Sequence, residues 1–247
     1  IISTVNDEIR FRSDMTVKLV QSMGDDMSVI EAARVSTTLT SDTLRDTSVA
    51  VDLSGKDLGL INYLMRDRHG TPFEHNAFTF FVEAPIFVFR EFMRHRIASY
   101  NEESGRYKEL NPVFYVPSED RKLVQVGKPG AYTFEEGNYD QKMMVPASMK
   151  RVAKESYAAY QKMLDAGVAR EVARAVLPVS IYSSMFVTMN ARALMNFLSL
   201  RTVREGTTFP SYPQREIEMV AEEMEELFAT IMPVTYETFN KNGRVAP

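Results

Sequence analysis

The chain has 247 residues, 45% hydrophobic and 25% charged, which suits a soluble globular protein able to bury one sizeable core, or at most two. A net charge of −4 argues against a general nucleic-acid binder, which is usually basic. No apolar run approaches the roughly 20 residues of a membrane span, and the absence of cysteine excludes disulfides, Cys-ligated zinc, iron–sulfur clusters and thiolate nucleophiles together.

Met15 to Val20 reads as a short strand ending near Gly24, and Asp25-Asp26-Met27-Ser28 supplies capping side chains for a helix through Ala32 and Ala33. Leu39 to Ser54 is rich in Thr, Ser and Asp and reads as a loop. From Gly55 to Arg68, Leu58, Leu60, Ile61, Leu64 and Met65 recur at helical spacing, and Gly70-Thr71-Pro72 is expected to stop that helix. Ala77 to Ala84 is aromatic-rich and reads as a buried strand. Pro85 suits a first helical turn, which predicts a helix over Ile86 to Ile97 with Arg90 and Arg94 one turn apart on one face.

Residues 98–106 then read as a polar loop, and Tyr107 to Pro117 as an extended segment. Gln141 to Ala166 is expected to be a long amphipathic helix, interrupted near Pro146, with a short helix over Val168 to Val176 after it. Ser180 to Met189 is strand-like. Ala191 to Leu200 and Pro213 to Met232 read as helices. Met185, Met189 and Met195 are expected in the core, and His75 as a packed histidine. Nothing separates domains, so residues 1–247 are read as one α+β domain with a small central antiparallel sheet flanked by helices. The first residues do not show the charged-then-apolar pattern of a signal peptide, and a cytoplasmic location is expected. With three histidines, His69, His75 and His95, no metal site is expected.

Chemistry concentrates in Arg94-His95-Arg96-Ile97-Ala98-Ser99-Tyr100-Asn101-Glu102-Glu103-Ser104-Gly105-Arg106. Arg94 and Arg96, two apart, point in different directions and would serve different ligand groups. Ser104-Gly105-Arg106 reads as a phosphate grip: a hydroxyl and backbone N–H donors come close at a residue without a side chain, beside a bidentate guanidinium. Asn101 and Glu102 can discriminate base edges, since an amide both donates and accepts whereas a carboxylate only accepts. A solvated, salt-bridged helix end would be the ordinary reading of a generic Arg/Glu-rich stretch.

The segment fills every specified position of R-H-R-x-x-S-x-N-E-x-S-x-R and resembles the signature of the flavin-dependent thymidylate synthases. His69-Gly70-Thr71-Pro72-Phe73-Glu74-His75 resembles the family's H-x-T-P-F-E-H stretch, and Ala33-Arg34-Val35-Ser36 its A-R-V-S element. Ala173 to Pro178 and Asn190 to Arg201 resemble its later blocks. The matches run in family order from about residue 15 to about residue 230, nearly the whole chain.

The resemblance implies transfer of a one-carbon unit from 5,10-methylenetetrahydrofolate to C5 of dUMP, with FAD relaying hydride from NADPH. A cysteine-free chain cannot activate the uracil ring by thiolate addition at C6, so a cofactor-assisted route is coherent with the composition. By position, Arg94, His95, Arg96, Glu102, Thr71, Asn190, Arg192 and Asn196 resemble residues contacting FAD, with Ser36, His69 and Glu74 as further candidates. Glu91, Arg94, Glu102, Glu103, Ser104, Gly105, Arg106 and Arg174 match positions lining the dUMP site. Arg201 matches the arginine that acts on the uracil ring, and it is expected to contact dUMP as well as to be catalytic. The family is homotetrameric, with active sites between subunits, and no nucleic-acid or membrane partner is implied.

Two positions depart from the pattern. Glu91 stands where many members have Gln. Past Arg201, where relatives commonly show a short run with His before a Gln, this chain carries Thr202 to Ser211 and then Tyr212-Pro213-Gln214. The folate or NADPH entrance is therefore expected to differ. Two other readings fit the residues: a flavin-dependent relative that hydroxymethylates a pyrimidine nucleotide, separable by product mass, and a noncatalytic nucleotide- or RNA-binding protein.

Overall fold

The computed structural model describes residues 9–44 and 52–247. The described residues fall into two compact units. Among the described residues, one takes 9–16, 83–94 and 101–185, the other 17–44, 52–82, 95–100 and 186–247.

In the first unit, β1 (Arg10–Arg12) pairs in parallel with β5 (Val113–Tyr115), Arg10 opposite Val113 and Arg12 opposite Tyr115. β6 (Val124–Lys128) and β7 (Ala131–Glu135) form an antiparallel hairpin closed at Gly130, whose φ of +84° is the left-handed backbone that glycine adopts at least cost. α4 (Tyr139–Asp165) is N-capped by Asn138, whose side chain accepts from the Gln141 N–H while Gln141 reaches back to the cap N–H. The interruption expected at Pro146 does not occur: the helix runs through it. Pro146 removes one backbone donor, and a 27-residue helix tolerates that loss where packing holds its later half. Ala153, Tyr157 and Tyr160 supply that packing, against Leu110, Phe114, Ala173 and Ile181. The Tyr157 hydroxyl donates to the Leu110 carbonyl at 3.1 Å, and the Leu110 N–H donates to the Tyr160 hydroxyl at 3.3 Å. α5 (Arg170–Ala173) continues into a 3-10 turn, Arg174–Val176.

In the second unit, α1 (Asp26–Arg34) carries the expected Asp25 cap and α2 (Gly55–Arg66) is capped by Ser54. α2 ends before Gly70: Arg68 takes φ +64°, and Gly70-Thr71-Pro72 instead leads into a 3-10 turn over Thr71–Glu74. Of its apolar positions Ile61, Leu64 and Met65 are buried, whereas Leu58 is exposed. α6 (Ala191–Arg201), α7 (Arg215–Ile231) and α8 (Pro233–Lys241) complete this unit. The buried Asp26 carboxylate accepts from the N–H groups of Val234 and Thr235 at 2.9 and 2.8 Å, capping α8 from a distant part of the chain. Burial raises its pKa, against the lowering effect of the hydrogen bonds from Val234 and Thr235. Part of the loop expected over Leu39 to Ser54, residues 45–51, lies outside the described residues.

Four strands form one sheet in the order β2 (Thr16–Met23), β3 (Ala77–Pro85), β8 (Tyr182–Met189), β4 (Ser99–Glu102). Along β3 the side chains of Phe78, Phe80, Val82 and Ala84 are buried in strict alternation, as a period of two requires. The Thr79 and Thr188 hydroxyls meet at 2.9 Å and the Phe81 and Phe186 rings meet edge-on at 6.0 Å. Positions advance along β3 as they retreat along β8, so this pair is antiparallel. The mixed helix-and-sheet class is as expected, but the sheet structure is divided among three small sheets, and the β1–β5 pair is parallel.

Two expectations near the signature fail. α3 spans Ile86–Phe92 only, so Arg94 lies beyond the helix and shares no helical face with Arg90. Residues Ser99–Glu102 are strand β4 rather than loop. Both follow from one tertiary fact, the pairing of 99–102 with the edge of β8, which helical propensity after Phe92 does not outweigh. Met185, Met189 and Met195 are buried as expected, whereas His75 is exposed.

Candidate active site

In the second unit, Arg201 is the last residue of α6, and its Nε donates to His95 Nε2 at 3.0 Å. That bond assigns Nε2 as an acceptor, hence a neutral imidazole with its proton on Nδ1. Burial first, and the Arg201 charge second, lower the His95 pKa from 6.5 to about 4. The ring is held edge-on to Phe197 at 4.9 Å, and the Tyr100 hydroxyl donates to the His95 carbonyl at 2.7 Å. His95 is thus fixed from three sides, and it fixes the guanidinium plane of Arg201 in turn.

At the other end of α6, the Asn190 side chain accepts from the Ala193 N–H at 2.9 Å. The buried Asn76 side chain accepts from the Ala191 N–H at 2.6 Å and donates to the Phe73 carbonyl at 3.1 Å, tying the helix start to the 71–74 turn. Arg192 pairs with Glu74 at 2.6 Å. A Cβ at Gly70 would lie 2.6 Å from Arg192 Cζ, so a side chain there would displace the guanidinium. His69 stacks on Tyr63, ring centroids 5.3 Å apart. Glu74, Asn190 and Arg192 are therefore brought together, and His95 with Arg201. Ser36 lies in the turn after α1, Thr71 opens the 3-10 turn, Arg96 precedes β4 and Asn196 is on α6; all four are exposed.

In the first unit, the Ser104 carbonyl accepts from the N–H groups of Tyr107 and Lys108 at 3.1 and 3.2 Å, closing a turn around Gly105. Gly105 is buried, and a Cβ there would meet Leu110 at 3.1 Å and Arg174 Cδ at 3.2 Å, so the Arg174 stem packs on this turn. The Arg106 N–H donates to the Ser104 hydroxyl at 3.3 Å, and its guanidinium pairs with Glu171 at 3.1 Å. The Glu103 N–H donates to the Ser184 carbonyl at 2.8 Å, and its carboxylate pairs with Lys108 at 2.5 Å. It lines an open cleft of about 240 Å³ together with Arg10, Arg12, Lys108 and Ser184.

Glu102 is half-buried, and burial raises its pKa; the Ser183 hydroxyl bond, Arg174 and Arg90 oppose that rise, while Glu103 adds to it. Glu102, Glu103, Ser104, Gly105, Arg106 and Arg174 are therefore gathered around one turn. Glu91 and Arg94 stand at the end of α3, where the Arg94 N–H donates to the Glu91 carbonyl at 3.3 Å. Arg90, Arg94, Arg96 and Arg106 are all exposed rather than buried. Sequence reasoning missed Ser183, Asn76 and Lys108. A pair of serines interrupting the apolar run of β8 was the available signal for Ser183, whereas Asn76 carried none beyond its place after the H-x-T-P-F-E-H stretch.

Among the described residues no cluster of His, Asp and Glu is arranged to hold a metal, and no helix is long and apolar enough to cross a membrane.

Residues 18–234 match the sequence family described as thymidylate synthase complementing protein. The chain belongs to this family. It is 59% identical over 245 residues to the flavin-dependent thymidylate synthase of Streptomyces coelicolor, covering 97% of this chain and 96% of that one. It is 56% identical over 237 residues to the flavin-dependent thymidylate synthase of Tropheryma whipplei, covering 96% and 97%. Among solved structures it is similar to the UMP/dUMP methylase PolB from Streptomyces cacaoi bound with 5-Br dUMP, at 53% identity and a TM-score of 0.88, over 97% of this chain and 100% of that one.

Proposed function

We infer that the chain is a flavin-dependent thymidylate synthase that methylates C5 of dUMP, a methyltransferase acting through a flavin. The observation that carries this is relatives of that name at 56–60% identity over nearly the full chain. The geometry is compatible in its own terms. The chain has no cysteine, so a thiolate cannot add to the pyrimidine, and a hydride donor must complete the methyl group. FAD supplies that hydride when bound, with NADPH as reductant and 5,10-methylenetetrahydrofolate as one-carbon donor.

The donor set fits such a dinucleotide: exposed guanidiniums at Arg94, Arg96 and Arg192 suit phosphates, and the side chains of Asn190, Asn196, Thr71, Ser36 and His69 suit ribose and ring edges. Glu74 orients Arg192 by direct pairing. In the dUMP site, Ser104, Gly105, Arg106 and Arg174 hold the phosphate, while Glu102, Glu103, Glu91 and Arg94 line the sugar and base. The Arg106–Glu171 pair is exposed on both sides, so a phosphate can replace Glu171 at little cost.

Arg201 acts on the pyrimidine. Its guanidinium, oriented by neutral His95, stabilises negative charge on N3 and O2 and so raises electron density at C5, the atom that bonds to the one-carbon unit and loses its proton. Residues 1–247 act as one synthase domain in a cytoplasmic homotetramer whose active sites form between subunits. Purified protein reconstituted with FAD should be yellow and convert dUMP to dTMP with methylenetetrahydrofolate and NADPH. Colourless protein that makes no dTMP under those conditions refutes the reading; a product heavier by one oxygen would favour the hydroxymethylase.

A further inference from the structure

Arg201 is followed by an unusual anchorage. Thr202 caps α6 in extended conformation and is almost wholly buried. Its N–H and its hydroxyl both donate to the Leu198 carbonyl, at 3.1 and 2.7 Å, and the hydroxyl accepts from Arg244 Nη2 at 2.8 Å. The Thr202 carbonyl accepts from the Ser211 hydroxyl at 2.5 Å, and the Val203 N–H donates to Glu218 at 3.2 Å. Arg204 then pairs with Glu225 at 2.6 Å. The three residues after Arg201 are thus tied by backbone or side chain to α7 and to the segment after α8.

The centre of this network is expensive. Arg244 and Glu225 are no more than 3% exposed and meet at 2.6 Å, and the Tyr236 hydroxyl donates to the same carboxylate at 3.3 Å. Arg244 itself takes φ +55° after Gly243 at +74°, a left-handed pair that a bulky residue adopts only at a cost. A Cβ at Gly243 would lie 2.1 Å from the Thr208 hydroxyl, so the 202–211 segment packs directly on this strained turn. A buried ion pair adds little net stability, because desolvation offsets its attraction. Backbone strain and two buried charges are therefore poorly explained as a stabilising device. What they supply is a defined position for Thr202, one bond away from Arg201.

We propose that Thr202, held by the buried Arg244–Glu225 pair and by Ser211, is a positioning residue for Arg201, and that the 202–211 segment serves to lock the end of α6. This rests on Arg201 acting on the pyrimidine. Thr202 touches no substrate; it acts through the direction in which α6 delivers the guanidinium, which His95 fixes from the other side.

The test uses the full chain reconstituted with FAD. Thr202→Val keeps the shape and removes the hydroxyl. It should lower kcat about 10- to 100-fold, as a misplacement near 1 Å does, with KM for dUMP and FAD absorbance little changed. Thr202→Ser keeps the hydroxyl and should retain most of kcat. Val220→Ala, a core truncation on α7 that removes none of these hydrogen bonds or ion pairs, should lower Tm with kcat unchanged. Ser211→Ala removes only the bond to the Thr202 carbonyl and should give a smaller loss of kcat in the same direction, which keeps the idea testable if Thr202→Val does not fold. If kcat in Thr202→Val equals that of the parent or follows Tm as in Val220→Ala, positioning is refuted; if only Ser211→Ala folds and its kcat is unchanged, it is refuted likewise. Arg201→Ala distinguishes the underlying reading: retained turnover there removes the role of Arg201, and the proposal with it.

Discussion

The two units hold their functional groups in different ways. Around Ser104, Gly105 and Arg106, a backbone turn fixes the chain while the charged ends remain in water: Arg106 and Glu171 are each 55% exposed. Around His95 and Arg201, side chain fixes side chain, with a half-buried imidazole, an aromatic edge and a buried network after the helix end. Exposed pairs exchange a protein carboxylate for a ligand phosphate at little cost. Half-buried pairs resist such exchange and keep their direction. Loose cations therefore suit capture of an anion, and a braced guanidinium suits a charge that develops only in the transition state.

The comparison breaks most visibly at Arg201. Arg201→Ala should lower kcat about 100- to 1000-fold, the usual loss for a group stabilising developing charge, while the FAD spectrum of the reconstituted protein is kept. An unchanged kcat would show that bracing in this unit serves stability alone. Next in size, Ser104→Ala and Arg106→Ala should raise KM for dUMP, Arg106→Ala by about 10- to 100-fold for a lost charge-assisted bond, with kcat nearly kept. Since the Arg106–Glu171 pair is exposed, Tm should hardly move. A Tm change without a KM change would make the turn structural.

Gly70→Ala gives a smaller and sharper contrast. The added Cβ meets the far end of the Arg192 side chain at 2.6 Å, which can swing away, and the Pro247 backbone carbonyl at 2.8 Å, so the guanidinium and residue 247 must both shift. The guanidinium would leave Glu74, and FAD should be lost on gel filtration more readily than from the parent. A lowered Tm with normal flavin retention would locate the role of Gly70 in folding instead.

Much of this was legible in the sequence because it is local. Asp25 and Asn190 cap helices by reaching their own third residues, and the alternation of Phe78, Phe80, Val82 and Ala84 declares its strand. The candidate residues were legible through motif order, which survives whatever the geometry does. What the sequence concealed depends on distant partners. Ser99 to Glu102 became a strand because β8 was there to pair with it, and Asp26 caps a helix that begins at Pro233. The buried Arg244 had no local signature, since its meaning comes from Thr202 and Glu225. The same holds for Ser183, which matters only because Glu102 faces it.

The smallest expected effect separates the units by the sign of their response to pH. In the braced unit His95 titrates near 4 when folded and near 6.5 when not, so between those values the unfolded chain binds the extra proton. Its contribution to stability is present above pH 6.5 and is lost as pH falls toward 4. Glu102, in the other unit, has a raised folded pKa, so there the folded state binds the extra proton and stability declines as pH rises through the carboxylate range. Replacing His95 with Gln removes the titration and leaves the carboxylates, including the buried Asp26, as they were. Tm measured from pH 7 to pH 4 should then fall less steeply in His95→Gln than in the parent. Parallel curves would mean that the imidazole takes up its proton as easily in the folded protein as in the unfolded one, and that the Arg201 bond does not hold it neutral.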